Sequence, residues 1–204
     1  MKILDICKDD RLKKYEFYAN FLNSKYFSLM KDALRNLNTD VLFTSKIHGQ
    51  DHIERVIFFS AILSWYYKLS EIDTKILLLS SSYHDIERIN DGYDTAHGMR
   101  ASKRLHEFSN LDDESLEIAK VAVRCHSLDD KYMKNIIDEN IKKDQIDRAY
   151  MISKLFKDSD GLDRVRISDL DQKFLRNDFS KQLIDFSNTL FNLYGEYNGL
   201  QYNN

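Results

Sequence analysis

The chain has 204 residues, enough for one sizeable core, and its 43% hydrophobic and 31% charged residues are the mix of a folded protein, not a disordered one. Thirty basic and 33 acidic side chains give a net charge of −3 with no basic stripe, which argues against a dedicated duplex-DNA binder but leaves small phosphorylated ligands open. There is no proline and there are only six glycines, so little breaks helices and little serves tight turns; an all-α fold is expected.

The first segment, MKILDICKDDRLKKYE, is too charged for a signal peptide, and no run approaches the ~20 apolar residues of a membrane span. Cys7 and Cys125 form no CxxC spacing and read as free thiols in a reducing compartment, so a cytoplasmic protein is expected. Leu12 to Leu37 reads as one or two helices with Phe17, Phe21, Leu22 and Phe27 as core. Asp51 to Leu69 follows, then Asp73 to Arg88, preceded by Ser70 and Asp73 as a capping pair. His97 to Phe108 and Asp112 to His126 come next, the latter opening on an acidic first turn that suits a helix N-terminus. Asp144 to Lys157 and Ser180 to Leu193 complete a single compact bundle of seven to nine helices. INDGYDT, FSNL and SLDDKYMKNIIDENIKKD read as linkers, and the tail YGEYNGLQYNN as frayed or loosely docked. One domain spans residues 1–204, with its motifs in 46–170 and flanking helices in 1–45 and 171–204.

The polar outliers lie in that middle stretch. KIHGQDHIERV places His48 and His52 four residues apart ahead of an apolar run. His84 and Asp85 are adjacent near the end of an apolar helix, and KDSDGLDRV holds Asp158, Asp160 and Asp163. A single helical histidine is more often a surface or hydrogen-bonded residue, and acidic helix ends are often solvated caps. In order, however, H…HD…D supplies a mixed nitrogen and oxygen donor set, suited to Mn²⁺, Fe²⁺, Co²⁺, Ni²⁺ or Mg²⁺ and open to Zn²⁺.

HGQDHIERV, LLLSSSYHDIERINDGYDTAHG, RCHS and KDSDGLDRVRISDLD in that order resemble the HD-domain metal-dependent phosphohydrolases. The resemblance implies His52, His84, Asp85 and Asp160 as ligands of a divalent metal ion, with Asp158 the competing acid if the register differs. Asp163 would brace the site, pairing with Arg55. His97 and His126 also fall at positions similar to the family pattern. They would hold a second ion, touch substrate phosphate or protonate the leaving group, or act as supporting hydrogen-bond partners. His48 is a candidate for catalysis or phosphate binding, against a helix-entry residue bonded to backbone, and His106 is assigned to the surface. Arg88, three residues past Asp85, is positioned to clamp a phosphate. Some family nucleotidases have an acid at that place; here the nearby acid is Glu87. Lys154, Arg164 and Arg166 are further phosphate candidates, with surface ion pairing as the alternative.

The implied reaction is hydrolysis of a phosphate monoester or diester, on a nucleotide or related small phosphorylated substrate, by metal-activated water. A histidine among His126, His97 and His48 would protonate the leaving oxygen. Two other readings compete. The HGxxH, HDxxR and DGLDRVR segments are also similar to phosphodiesterase domains acting on phosphoribosyl-linked ubiquitin, in which the position of His48 is a nucleophile. Some HD domains sense nucleotides without turnover. No membrane contact and no strong nucleic-acid signal is expected.

Overall fold

A computed structural model describes residues 1–199, and these contain helices and no strand, as expected. The α-helices are α1 (Ile3–Ile6), α2 (Glu16–Leu22), α3 (Lys25–Arg35), α4 (Gln50–Tyr66), α5 (Glu71–Tyr83) and α6 (His97–Arg104). They continue with α7 (Asp113–His126), α8 (Met133–Asn140), α9 (Ile146–Leu162), α10 (Asp178–Gln182) and α11 (Ile184–Tyr197). Eleven among the described residues exceeds the expected seven to nine. Ser24 caps Phe27 N and splits the first long segment into α2 and α3. The stretch read as a polar linker after His126 folds into α8 because Met133, Ile136 and Ile137 find core to bury.

The bundle is organised around α4. Every residue from His52 to Ser64 is buried, as a helix packed on all sides requires. It packs against α3, α5 and α9, while α7 closes the other side against α5, α6, α8 and α9. Aromatic residues fill the end of α4 away from its histidine: Phe58 meets Phe186 at 5.8 Å and Phe21 at 5.7 Å between ring centroids, both as tilted pairs. Caps fix where helices begin. Ser70 Oγ accepts from Asp73 N and donates to Asp73 Oδ2, and Asp112 accepts from Ser115 N at the start of α7.

The C-terminal segment is packed further than expected. Helix α11 continues through Tyr197, and buried Tyr194 donates to Glu54 Oε2 at 3.1 Å. Leu200 to Asn204, the rest of that tail, lie outside the described residues. Cys7 and Cys125 are free and buried. Among the described residues no helix is long and apolar enough to cross a membrane.

Candidate metal centre

Five segments deliver the site. His52 lies in the first turn of α4, entered through Gly49, where a Cβ would stand 2.1 Å from Ser45 O. Glycine is required there by that close approach; its backbone angles are ordinary. Helix α5 stops at Tyr83, five residues short of the expected Arg88, so His84 and Asp85 leave from the turn beyond it. The serines before them are short enough to let α4 and α5 close. Ser60 Oγ meets Ser81 Oγ at 2.7 Å, and Ser80, Ser81 and Ser82 each bond back to the carbonyl four residues earlier. His97 opens α6 and His126 closes α7. Between them stands Gly98, where a Cβ would be 2.5 Å from Val123 O and 3.0 Å from His126 Nδ1. Helix α9 runs to Leu162, past the expected Lys157, and so carries both Asp158 and Asp160.

Those two acids are two residues apart on one helix, about 200° around it, and they face opposite ways. Asp158 accepts from the Arg176 and Asn177 backbone N–H groups and from Asn177 Nδ2 at 2.7 Å. Asp160 points to the histidines.

The structure brings His52, His84, Asp85 and Asp160 together. His52 Nε2 is 3.1 Å from His84 Nε2, 3.5 Å from Asp160 Oδ1 and 3.7 Å from Asp85 Oδ2. His84 Nε2 is 3.7 Å from Asp85 Oδ2 and 3.9 Å from Asp160 Oδ1. Donor atoms about 2.1 Å from one ion lie roughly 3.0–3.4 Å apart at octahedral or tetrahedral angles, so this grouping needs only small movements to take one.

The other carboxylate oxygen of Asp85 faces a second grouping. Asp85 Oδ1 is 3.1 Å from His97 Nε2 and 3.7 Å from His126 Nε2, and the two Nε2 atoms are 2.8 Å apart. His97 and His126, expected to hold a second ion, to touch phosphate, to protonate the leaving group or to act as supporting hydrogen-bond partners, stand as a pair beside Asp85.

Hydrogen bonding at the far side of each ring fixes what those Nε2 atoms carry. His84 Nδ1 faces Ser81 O at 3.0 Å, His126 Nδ1 faces Val123 O at 2.6 Å, and His97 Nδ1 faces Asp94 O. A carbonyl only accepts, so each Nδ1 holds the proton and donates. His52 Nδ1 donates in the same way to Asp163 Oδ2 at 2.7 Å. In His52 and His84, which burial keeps neutral, the lone pair is then at Nε2, so these two rings meet lone pair to lone pair, and His97 Nε2 faces His126 Nε2. Asp85 Oδ1, buried beside His97 and His126, accepts no hydrogen bond. A buried acceptor without a partner is costly, and facing acceptors repel. Divalent cations on either side of Asp85 satisfy all of these atoms, so the residues present fit one ion and, through His97 and His126, a second.

Charge agrees with that reading. Burial pushes His84 down to about 3 and lowers His52, so both are neutral near pH 7. Burial opposes ionisation of Asp85 and Asp160, yet the surrounding histidines, His84 first, hold both below the ordinary carboxylate range. The pocket is therefore lined by anions and lone pairs.

The remaining residues support or rim it. Arg55 donates to both oxygens of Asp163, Nε at 2.5 Å and Nη2 at 3.0 Å, which is the bracing pair anticipated from sequence. His48 Nδ1 lies 3.0 Å from Asp85 Oδ2 and 3.3 Å from Arg166 Nη2, and its Nε2 has no hydrogen bond. Arg88 Nε lies 3.0 Å from Asp85 Oδ2 without hydrogen-bond alignment, and its Nη1 donates to Gly92 O at 3.4 Å. These groups line a cleft of about 310 Å³ with Asp160, Arg164 and Arg166. Arg166 lines the cleft and pairs with Asp163 at 3.6 Å, but it is half-buried and not a surface cation: it donates to Ile47 O at 2.9 Å and Asp163 O at 3.0 Å, with Nη2 3.3 Å from His48 Nδ1. Its sequence signal was the three-residue step from Asp163, which places both on one side of the turn. Arg164 is exposed and paired with Asp169, and Lys154 is exposed beside Tyr150. Glu87 is paired with Arg104 at 2.7 Å and does not line the cleft. His106 is exposed, as assigned.

Comparison of the chain with protein-family models, with curated proteins and with solved structures returns no match.

Proposed function

We propose that this protein is a metal-dependent phosphohydrolase of the HD-domain kind, acting on the phosphate ester of a nucleotide or related small molecule. One observation carries the reading: two pairs of imidazoles meet Nε2 to Nε2, one pair at each oxygen of the buried Asp85 carboxylate, whose Oδ1 accepts no hydrogen bond. Divalent ions held there supply Lewis acidity to a phosphoryl oxygen and to the attacking water.

The chain's own residues do the rest. Arg88 Nη2 is uncommitted on the wall of the cleft and neutralises charge on the phosphoryl oxygens. Arg166 is tied down by Ile47 O and Asp163 O, so it contributes fixed positive potential beside His48. Asp85 and Arg166 hold His48 by its Nδ1 and leave Nε2 without a hydrogen bond, which lets that atom take or give a proton. Of the other carboxylates lining the cleft, Asp91 accepts from Ser45 Oγ and Asp94 pairs with Arg100.

The same His48–Asp85 bond favours a second reading, in which His48 Nε2 attacks phosphorus itself. Chelator treatment separates the two. The test is turnover of a panel of nucleotide monoesters and diesters by protein stripped of metal and then reloaded with Mn²⁺. Activity lost and regained with the ion supports the proposal. Full activity in chelator with a phospholinkage on His48 transfers the chemistry to that residue, and metal binding with no turnover makes the domain a sensor.

A further inference from the structure

Among the described residues, Arg124 is the arginine that forms no ion pair; every other arginine has a carboxylate partner. It makes no hydrogen bond either, and its Nε is buried without a partner. A guanidinium left so is costly unless an acceptor arrives. It lines a cavity of about 610 Å³ with Tyr93, Thr95, Leu128, Lys131 and Tyr132. Two carboxylates share that lining. Asp129 is engaged by Lys131, at 3.0 Å from its N and 3.7 Å from its Nζ, and Glu139 makes no ion pair with Arg124.

The cavity adjoins the metal-site cleft, since Tyr93 and Thr95 line both. Arg124 lies two residues before His126 on α7, so the two side chains leave the helix about 200° apart, and a ligand touching both spans roughly 10 Å. At the junction the Tyr93 ring is 98% exposed, and Tyr132 is 49% exposed beyond it. An exposed ring between two sites for anions is a platform for a base.

We infer that the substrate is extended: a dinucleotide or short single-stranded oligonucleotide. Its terminal phosphoester sits at the His/Asp centre, a base stacks on Tyr93, and a second phosphate accepts hydrogen bonds from Arg124. A mononucleotide carries its charge at one end and fills only the first position. The inference rests on the phosphohydrolase reading for the reaction, but the Arg124 subsite is testable by binding alone.

The experiment compares a 5′-phosphorylated dinucleotide and trinucleotide with a mononucleotide on the metal-loaded wild type, Arg124→Gln and Arg124→Lys. Arg124 holds no other group in place, so these variants fold. In the wild type the dinucleotide KM is expected at least ~10-fold below that of the mononucleotide, the scale of one charged hydrogen bond. Arg124→Gln removes that advantage while mononucleotide kcat and KM stay unchanged, and Arg124→Lys restores part of it. Equal KM values in the wild type, or an equal rise for both substrates in Arg124→Gln, overturn the inference. Calorimetric titration of a phosphorothioate-linked dinucleotide runs alongside. If no ester is hydrolysed, the phosphohydrolase reading fails by itself. Binding that weakens in Arg124→Gln then still supports the subsite, and binding that is absent or unchanged overturns it.

Discussion

His97 Nε2 and His126 Nε2 stand 2.8 Å apart while both Nδ1 atoms are committed to backbone carbonyls. Nε2 is therefore the nitrogen each ring has left for a ligand, and with Asp85 Oδ1, 3.1 Å from His97 Nε2, the two rings form one candidate ligand set. The expected consequence is two divalent ions per chain in the wild type and one in His97→Ala, with His52, His84 and Asp160 still holding the other. Elemental analysis of the purified proteins checks this. An unchanged ratio in the variant contradicts the assignment.

Gly98 offers a way to disturb that pair without replacing a ligand. Its Cβ position is 2.5 Å from Val123 O, the acceptor that orients His126. Gly98→Ala is expected to push α6 from α7, to lose the second ion and to lower kcat by ~10-fold or more, the size of effect seen when a supporting contact to a metal ligand is lost. Retention of both ions with full activity would show that the close approach is unimportant.

Asp163 links the site to acid stability. Burial opposes its ionisation, but Arg55 and the His52 hydrogen bond bring its carboxyl from an ordinary 3.8 down to about 2. A carboxylate lowered in the folded state adds stability above its unfolded pKa and loses it as pH falls through the folded one. The contribution is about 2 kcal/mol, complete above pH 3.8 and gone below pH 2. Asp163→Asn also strands Arg55, so it should cost ~3–5 kcal/mol at pH 7. Urea unfolding of the metal-free proteins tests the sign: the gap between wild type and variant narrows as pH drops from 3.8 toward 2. A gap constant across that window would rule out the assigned shift.

Arg88 sits 3.0 Å from Asp85 yet has no aligned hydrogen bond to it, which leaves its guanidinium free to turn to a ligand. Arg88→Ala is expected to raise KM ~10-fold or more while metal content stays at the wild-type level. Arg88→Lys recovers only part, since Lys lacks the two-pronged donor geometry. Loss of metal with unchanged KM would assign Arg88 to holding Asp85 instead.

The helical character and the four H…HD…D residues were legible because period and residue chemistry are local properties of a sequence. The paired arrangement of His97 and His126 was not. It depends on α6 meeting α7 at Gly98, a contact between segments that sequence spacing does not encode. The choice between Asp158 and Asp160 waited on where α9 ends, since only a continuous helix turns the two acids to opposite sides. Arg166 looked like a surface cation because burial follows from the loop at Ile47 folding over it. The helix at Met133–Asn140 was hidden by its charged flanks, although Met133, Ile136 and Ile137 have helical spacing.

The most direct test of the central claim is anomalous diffraction at the manganese edge from crystals grown with Mn²⁺. Two peaks are expected, roughly 3.5–4 Å apart as in two-metal sites. One should touch His52, His84, Asp85 and Asp160, the other Asp85, His97 and His126. Crystals that show no peak among these residues, with the imidazole Nε2 atoms still facing one another, would contradict the account.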